Sequence, residues 1–299
     1  MRIFITGAGG FIGSCIAEYL SIRGYETVSY NRSKHGNLSL DGIPEDIDVI
    51  VNSAGRLGTP GVNSNELTLS NTALPKTLAD YCSRKDTHLI HISTPGVAGL
   101  SANGSEDSEY DPWGEYESSK MKGEIYLRKH EDLPADQLTV LRPDFVYGPG
   151  DFHKLALFEQ VSKGWMPLIG RNGAKIRPTF AGDVCRAVES SLPGGILNGG
   201  LFNIAGPEIV TVRELCSEIA SALGQSLKIV PLPKMFFRMV LKLGKLCPDA
   251  LSESRFQLFG KDHYVSTEKA EKADFHTEWN LKKGISETVS WYLNNGVLR

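Results

Sequence analysis

The chain has 299 residues, 41% of them apolar and 22% charged, with a net charge of −3. That length exceeds one small core and predicts one large domain or two linked lobes. The mild acidity excludes a broad cationic face for nucleic acid or an anionic membrane. The five cysteines (Cys15, Cys82, Cys185, Cys216 and Cys247) are odd in number and form no C-x-x-C. They predict reduced thiols in a cytoplasmic protein, and no metal site is expected. Met1-Arg2 leads straight into Ile3-Phe4-Ile5 and a glycine turn, which reads as a buried strand and not a signal peptide. The longest apolar stretch, 235–246, is broken by Arg238, Lys242 and Lys245, so no membrane span is expected.

In chain order, a strand is predicted over 2–6, then a glycine turn, a helix over 11–23 and a second strand over 25–30. A strand over 47–52, a helix over 71–84 and a strand over 88–93 follow. A helix over 113–129 precedes a strand over 138–141. Such alternation implies parallel strands with crossover helices, hence an α/β fold of the Rossmann-type doubly wound sheet. Strands buried on both faces account for runs such as Val49-Ile50-Val51. After Gly150 the pattern loosens. A helix is read over 155–163, a strand over 176–180, a helix from Asp183 and a strand over 201–204. Thr211 with Glu214 three residues on reads as a helix start. Residues 227–230 lead into Pro231-Leu232-Pro233 and an apolar-basic helix from Lys234, and a last helix is read over 285–293. Residues 1–150 are expected to form the dinucleotide-binding domain. Residues 151–299 are expected to form a smaller C-terminal substrate lobe, with segments near 175–205 returning to the main sheet.

The first strand runs into Thr6-Gly7-Ala8-Gly9-Gly10-Phe11-Ile12-Gly13. The fingerprint G-x-G-x-x-G does not fit, because Ile12 stands where its third glycine belongs. G-x-x-G-x-x-G fits at Gly7, Gly10 and Gly13. Gly7 permits a tight turn, Gly10 lets the backbone approach a pyrophosphate, and Gly13 allows the helix to pack close on the sheet. The helix opened by Phe11 and Ile12 then points free N–H groups at the phosphates. The second strand ends Ser29-Tyr30-Asn31-Arg32. It carries no carboxylate for ribose hydroxyls, while Arg32 beside Asn31 suits a 2′-phosphate, so NADP is preferred and NAD is the alternative.

Tyr116 and Lys120 form a Y-x-x-x-K, and on a helix such positions share one face. A lysine charge about 4 Å from the phenol contributes roughly 4 kcal/mol at an effective dielectric of about 20. That is expected to lower the phenol pKa by about three units and fit it for acid–base work. The motif recurs at Tyr30/Lys34 and Tyr81/Lys85, but only Tyr116 follows a hydroxyl-bearing strand end and opens a long helix. That strand ends Ser93-Thr94. One hydroxyl would bind the substrate oxygen, and the two point to opposite faces, so spacing alone does not choose between them.

Together TGAGGFIG (6–13), VNSAG (51–55), ISTPGV (92–97), YESSK (116–120), LRPDFVYGPGD (141–151) and NIAGPE (203–208) resemble the extended short-chain dehydrogenase/reductase family, over nearly the whole chain. The resemblance implies Thr94 as the catalytic hydroxyl, Tyr116 as general acid/base, and Lys120 as its tuner and holder of the nicotinamide ribose. It implies that Ala54 and Gly55 line the dinucleotide and that Pro143 and Val146 flank the nicotinamide. Arg177 matches a position that contacts a phosphate in sugar-nucleotide members. The alternative for Arg177 is a salt bridge to a carboxylate such as Asp183. The substrate implied is a nucleotide-linked sugar, with a smaller or steroid-like alcohol as the alternative, and family members often dimerise through helices including the one bearing Tyr116.

Two departures narrow the chemistry. Pro95-Gly96 replace the acidic residues that dehydratases carry after the catalytic threonine, and Phe145 replaces an asparagine common in epimerases. Phe145 and Ser93 are expected on the substrate side. Net hydride transfer to or from a secondary alcohol or ketone carbon is therefore preferred. An epimerase with tightly bound NAD and a non-catalytic NAD(P)-binding accessory or sensor protein are the rivals.

Overall fold

The computed structural model describes residues 1–36, 38–59, 61–233 and 260–298. The helix expected from Lys234 lies outside them. The first half runs β1 (Arg2–Thr6), α1 (Phe11–Ile22), β2 (Glu26–Tyr30), the short α2 (Arg32–His35), β3 (Val49–Asn52), α3 (Ser64–Thr68) and α4 (Leu74–Lys85). β4 (His88–Ile92), β5 (Ala102–Gly104), α5 (Glu115–Arg128) and β6 (Leu138–Pro143) follow. The second half holds β7 (Val146–Tyr147), α6 (Leu155–Ser162), β8 (Trp165–Ile169), β9 (Lys175–Ile176), β10 (Thr179–Phe180) and α7 (Ala181–Ser190). It continues through β11 (Gly200–Ile204), β12 (Val210–Thr211), α8 (Val212–Ala222), β13 (Lys228–Leu232) and β14 (Tyr264–Val265), with helices Glu268–Lys272 and Leu281–Asn294.

Six strands form one parallel sheet in the order β11-β6-β4-β3-β1-β2. The chain leaves β1 toward β2 on one side and returns to β3 on the other. That reversal opens a crevice at the carboxyl ends of β1 and β3, where ligands of such sheets bind. Alternation along the strands builds two cores. Ile3, Ile5, Val49 and Val51 pack with Ile16 and Leu20 of α1 and Val188 of α7. Phe4, Ile50 and Leu89 face the opposite side, against Leu78 and Cys82 of α4 and Leu127 of α5. β1, β3, β4 and β6 are thus buried on both faces, as their apolar runs require, while the edge strand β2 is only partly buried.

A third core lies in the second half. Phe158, Val161, Leu215, Ile219, Ile285 and Tyr292 bring three helices around Leu168 of β8. The helix start at Thr211 is a full capping box, with Glu214 answering the Thr211 amide and hydroxyl. β11 joins the main sheet beside β6, and α7 packs on α1. Among the described residues no helix is long and apolar enough to cross a membrane.

Three local expectations are corrected. The helix expected over 71–84 begins earlier as α3, passes through a π-turn at Leu69–Ala73 and continues as α4. The strand expected over 176–180 is two short pieces, β9 and β10, split at Arg177-Pro178 where proline has no N–H to pair. β8, unassigned from sequence, pairs in parallel with β13 despite Pro167. Both are edge strands of a two-stranded ribbon, where a missing donor is tolerated.

α5 lies close against that π-turn. A Cβ at Gly123 would collide with the Asn71 carbonyl, and Pro75 is also near. Gly123→Ala should therefore cost about 1–3 kcal/mol through overpacking, although alanine in a free helix gains about 1 kcal/mol over glycine. A urea midpoint equal to or above the parent's would show that the helix is not held so tightly.

Candidate active site

The glycine turn is shaped for a close approach. Gly7 has φ +73°, and a Cβ there would stand 2.6 Å from the Ala54 backbone. A Cβ at Gly13 would strike the Gly7 carbonyl and crowd Ser53 Oγ. Ser53 Oγ also donates to the Thr6 carbonyl at 2.6 Å, which ties the ends of β1 and β3 together. α1 begins at Gly10 with no side-chain cap and no acidic residue in its first turn. Its leading N–H groups therefore remain available, and the macrodipole favours an anion there. These features fit the pyrophosphate of a dinucleotide. Gly9, given no role from sequence, is needed because the Asn31 side chain fills the space a Cβ would take.

At the end of β2, Asn31 Oδ1 accepts from the Ser33 amide at 3.1 Å and the Ser33 hydroxyl at 2.9 Å, capping α2. Arg32 is exposed and donates from Nη1 to Ser70 Oγ at 2.8 Å. This holds the guanidinium above the π-turn beside the crevice.

A cleft of about 1140 Å³ lies beyond the turn, between the ends of β4 and β6 and the second half of the chain. Phe11, Ile12, Ser93, Thr94, Tyr116, Pro143, Phe145 and Val146 all line it. Thr94 is half-buried at the start of a 3₁₀ turn, where Oγ1 accepts from the Gly96 amide at 3.3 Å. Tyr116 stands in the first turn of α5, half-buried in the cleft wall.

Lys120 behaves differently from expectation. Its Nζ is buried and donates to the Ile92 carbonyl at 2.9 Å, and it lies 3.1 Å from where a Gly55 Cβ would be. Burial pushes its pKa down to about 8, with Glu124 pulling the other way. The Tyr116 phenol is pushed up, first by burial and then by the Glu117 carboxylate. The expected lowering of the phenol by Lys120 is thus overturned. Desolvation outweighs any benefit of an ammonium that is aimed at the end of β4.

Ser93 lines the cleft, but its side chain is already committed. Its hydroxyl donates to Glu124 Oε2 at 2.6 Å. Glu124 is fully buried and accepts from Arg142 Nε at 3.1 Å, from Arg142 Nη2, and from the Tyr110 hydroxyl at 2.8 Å. Of the two strand-end hydroxyls, Thr94 is therefore the one not committed to the interior.

Arg177 is not brought to the cleft. It lines a separate cavity of about 130 Å³, where it donates to the Gly206 carbonyl at 2.6 Å and the Val265 carbonyl at 3.2 Å. Its carboxylate partner is Glu271 at 3.7 Å, and Asp183 pairs with Arg186 instead. Sequence reading also passed over Asn71. It is fully buried in the π-turn, donates to Ser119 Oγ at 2.9 Å, and accepts from the Arg56 amide at 2.8 Å beside Gly55. A polar residue inside an apolar helical pattern was the available signal.

The glycine cradle, the strand-end threonine and the tyrosine–lysine helix together define an NAD(P)-dependent enzyme of the extended short-chain dehydrogenase/reductase class. The chain belongs to the NAD dependent epimerase/dehydratase family, whose model matches residues 3–205. It is 25% identical to a 2-alkyl-3-oxoalkanoate reductase of Stenotrophomonas maltophilia over 75% of this chain and 76% of the relative. It is 28% identical to a probable low-salt glycan biosynthesis reductase of Haloferax volcanii over 75% and 81%. A solved UDP-glucuronic acid 4-epimerase from Bacillus cereus, in complex with NAD, aligns with a TM-score of 0.76. Identity there is 21%, with 98% of this chain and 99% of the other covered, so the likeness is one of fold.

The buried lysine gives a stability test. Its pKa falls from an ordinary 10.5 to about 8 on folding. Between those values the unfolded chain binds the extra proton, so this contribution to stability rises with pH from about 8 to 10.5. Lys120→Met should raise the urea midpoint at pH 7, and the advantage should shrink as the pH approaches 10.5. A midpoint below the parent's at pH 7 would contradict the cost assigned to the buried charge.

Proposed function

We propose that the chain is an NADP(H)-preferring reductase of a ketone carried on a nucleotide-linked sugar. The carrying observation is that Thr94 and Tyr116 line one cleft together with Phe11 and Ile12 of the glycine turn. When bound, the nicotinamide supplies the hydride. The chain's residues do the rest. Thr94 orients the carbonyl oxygen by a hydrogen bond. Tyr116 gives that oxygen its proton, which a phenol carries at neutral pH. Lys120, with two ammonium protons left beyond Ile92, holds the cofactor ribose. Pro143 and Val146 flank the nicotinamide with apolar surface, and Ala54 and Gly55 line the dinucleotide. Net reduction is supported by the reductase names of the two sequence relatives given above.

Cofactor preference rests on Arg32, which Ser70 holds beside the crevice. A guanidinium there pairs with the 2′-phosphate that NADP carries and NAD lacks.

Absorbance of NADPH, followed with a nucleotide-linked 4-keto-6-deoxyhexose, tests this reading. Oxidation stoichiometric with substrate is expected, with NADPH favoured over NADH. Tyr116→Phe should lower kcat at least ~100-fold. Arg32→Ala should raise the NADPH KM by roughly 10-fold or more while leaving NADH unaffected. Product formation without net cofactor change would favour the epimerase. Full biological activity in Tyr116→Phe would favour a non-catalytic role.

A further inference from the structure

Asp144 follows β6 directly and lines the same cleft, yet is only 8% exposed. Its backbone is fixed on both sides. The N–H donates to the Ile204 carbonyl at 2.9 Å, and the carbonyl accepts from the Thr179 hydroxyl. The next residue, Phe145, is held at φ +35°, in the region that favours glycine. Strain of this kind persists where the surroundings over-determine it, and it clusters at ligand sites. Here the bend sets both residues in the cleft wall.

The carboxyl of Asp144 is the exception among its neighbours. Glu124 is saturated by Arg142, Ser93 and Tyr110. Asp151 accepts from the His153 amide and pairs with Lys154, and Asp183 accepts from two backbone amides and Arg186. Asp144 Oδ2 is buried with no partner among the described residues. The nearby cations are already engaged. Arg177 is held by two carbonyls and Glu271, and Lys154 by the Val146 carbonyl and Asp151. Asn203 Oδ1 in the same wall is likewise buried without a partner among the described residues. Buried oxygens left alone at a cleft call for an explanation, and a bound ligand supplies one.

We propose that Asp144 is a specificity-determining residue that holds a hydroxyl group of the substrate. The proposal rests on the reductase reading and narrows it to hydroxylated ketones. Burial pushes the carboxyl up to about 7, against the amides of Phe145 and Val265 and the charges of Arg177 and Lys154. Near neutral pH the residue therefore presents both its acid and its carboxylate form. A hydroxyl accepts from the first and donates to the second, whereas a ketone or carboxylate oxygen matches only the acid. A site that binds a hydroxyl in this way rejects a ketone lacking it, because the buried partner is left alone.

The test compares NADPH oxidation by the parent, Asp144→Asn and Asp144→Leu. The probes are a nucleotide-linked 4-keto-6-deoxyhexose and its 2-deoxy and 3-deoxy counterparts. Asp144→Leu should lower kcat/KM for the full sugar by roughly 100-fold, mainly through KM, and leave one deoxy counterpart within about threefold. Asp144→Asn, which keeps a donor and an acceptor, should lose less than about tenfold and shows that the fold survives. Equal losses on every sugar, or no loss on any, overturn the proposal. Parent activity confined to ketones without hydroxyls also overturns it while leaving the reductase reading intact. No NADPH oxidation with any ketone overturns the reductase reading, and this proposal with it.

Discussion

The geometry of the site depends on the buried ion pair between Glu124 and Arg142. Glu124 stands on α5 one turn after Lys120 and two after Tyr116, and Arg142 immediately precedes Pro143 at the end of β6. The pair therefore welds the helix that carries the phenol to the strand that forms the cleft floor. Ser93 brings in the end of β4, and Tyr110 brings in the loop before α5. Taking each charge out of water costs several kcal/mol, and the mutual attraction repays this only when the remaining lone pairs are satisfied. Here every partner of the carboxylate is a hydrogen-bond donor in good reach. Removing one member would leave a bare buried charge, at a cost of about 3–5 kcal/mol. The pair is thus better understood as fixing one arrangement of three elements than as a source of net stability.

What was legible from sequence follows from which interactions are local. The spacing of Gly7, Gly10 and Gly13 was legible because strand, turn and helix follow one another within eight residues, although the contact that demands glycine at position 7 comes from Ala54, beyond β3. The capping box at Thr211 and Glu214 is equally local. The parallel sheet was readable because strands covered on both faces leave unbroken apolar runs. The fate of Arg177 was not readable. Its partners Gly206, Val265 and Glu271 lie 29 to 94 positions away, and no spacing rule brings them together. β8 was missed because Pro167 argues against a strand unless the strand is known to be an edge, and that knowledge requires the partner β13.

The tyrosine–lysine pair shows the same limit in electrostatic form. Sharing a helical face places Tyr116 and Lys120 one turn apart, and Coulomb's law in a uniform medium then predicts a more acidic phenol. The medium is not uniform. Lys120 points inward to the Ile92 carbonyl, and the phenol feels the loss of water more than the ammonium. Desolvation cannot be read from residue spacing, because it depends on what the rest of the chain packs around the group.

Several costs are concentrated around one cleft. Lys120 is charged and buried, Asp144 has an oxygen without a partner, and Phe145 bends through a left-handed conformation. Each lowers the stability of the isolated chain, whereas the two cores of the main sheet carry that load elsewhere. Such a distribution is expected where binding energy is to be realised only when ligands arrive. In the unliganded chain the phenol carries its proton, and its raised pKa makes it a weak acid, so proton transfer in either direction waits on bound groups that change the surroundings of the ring.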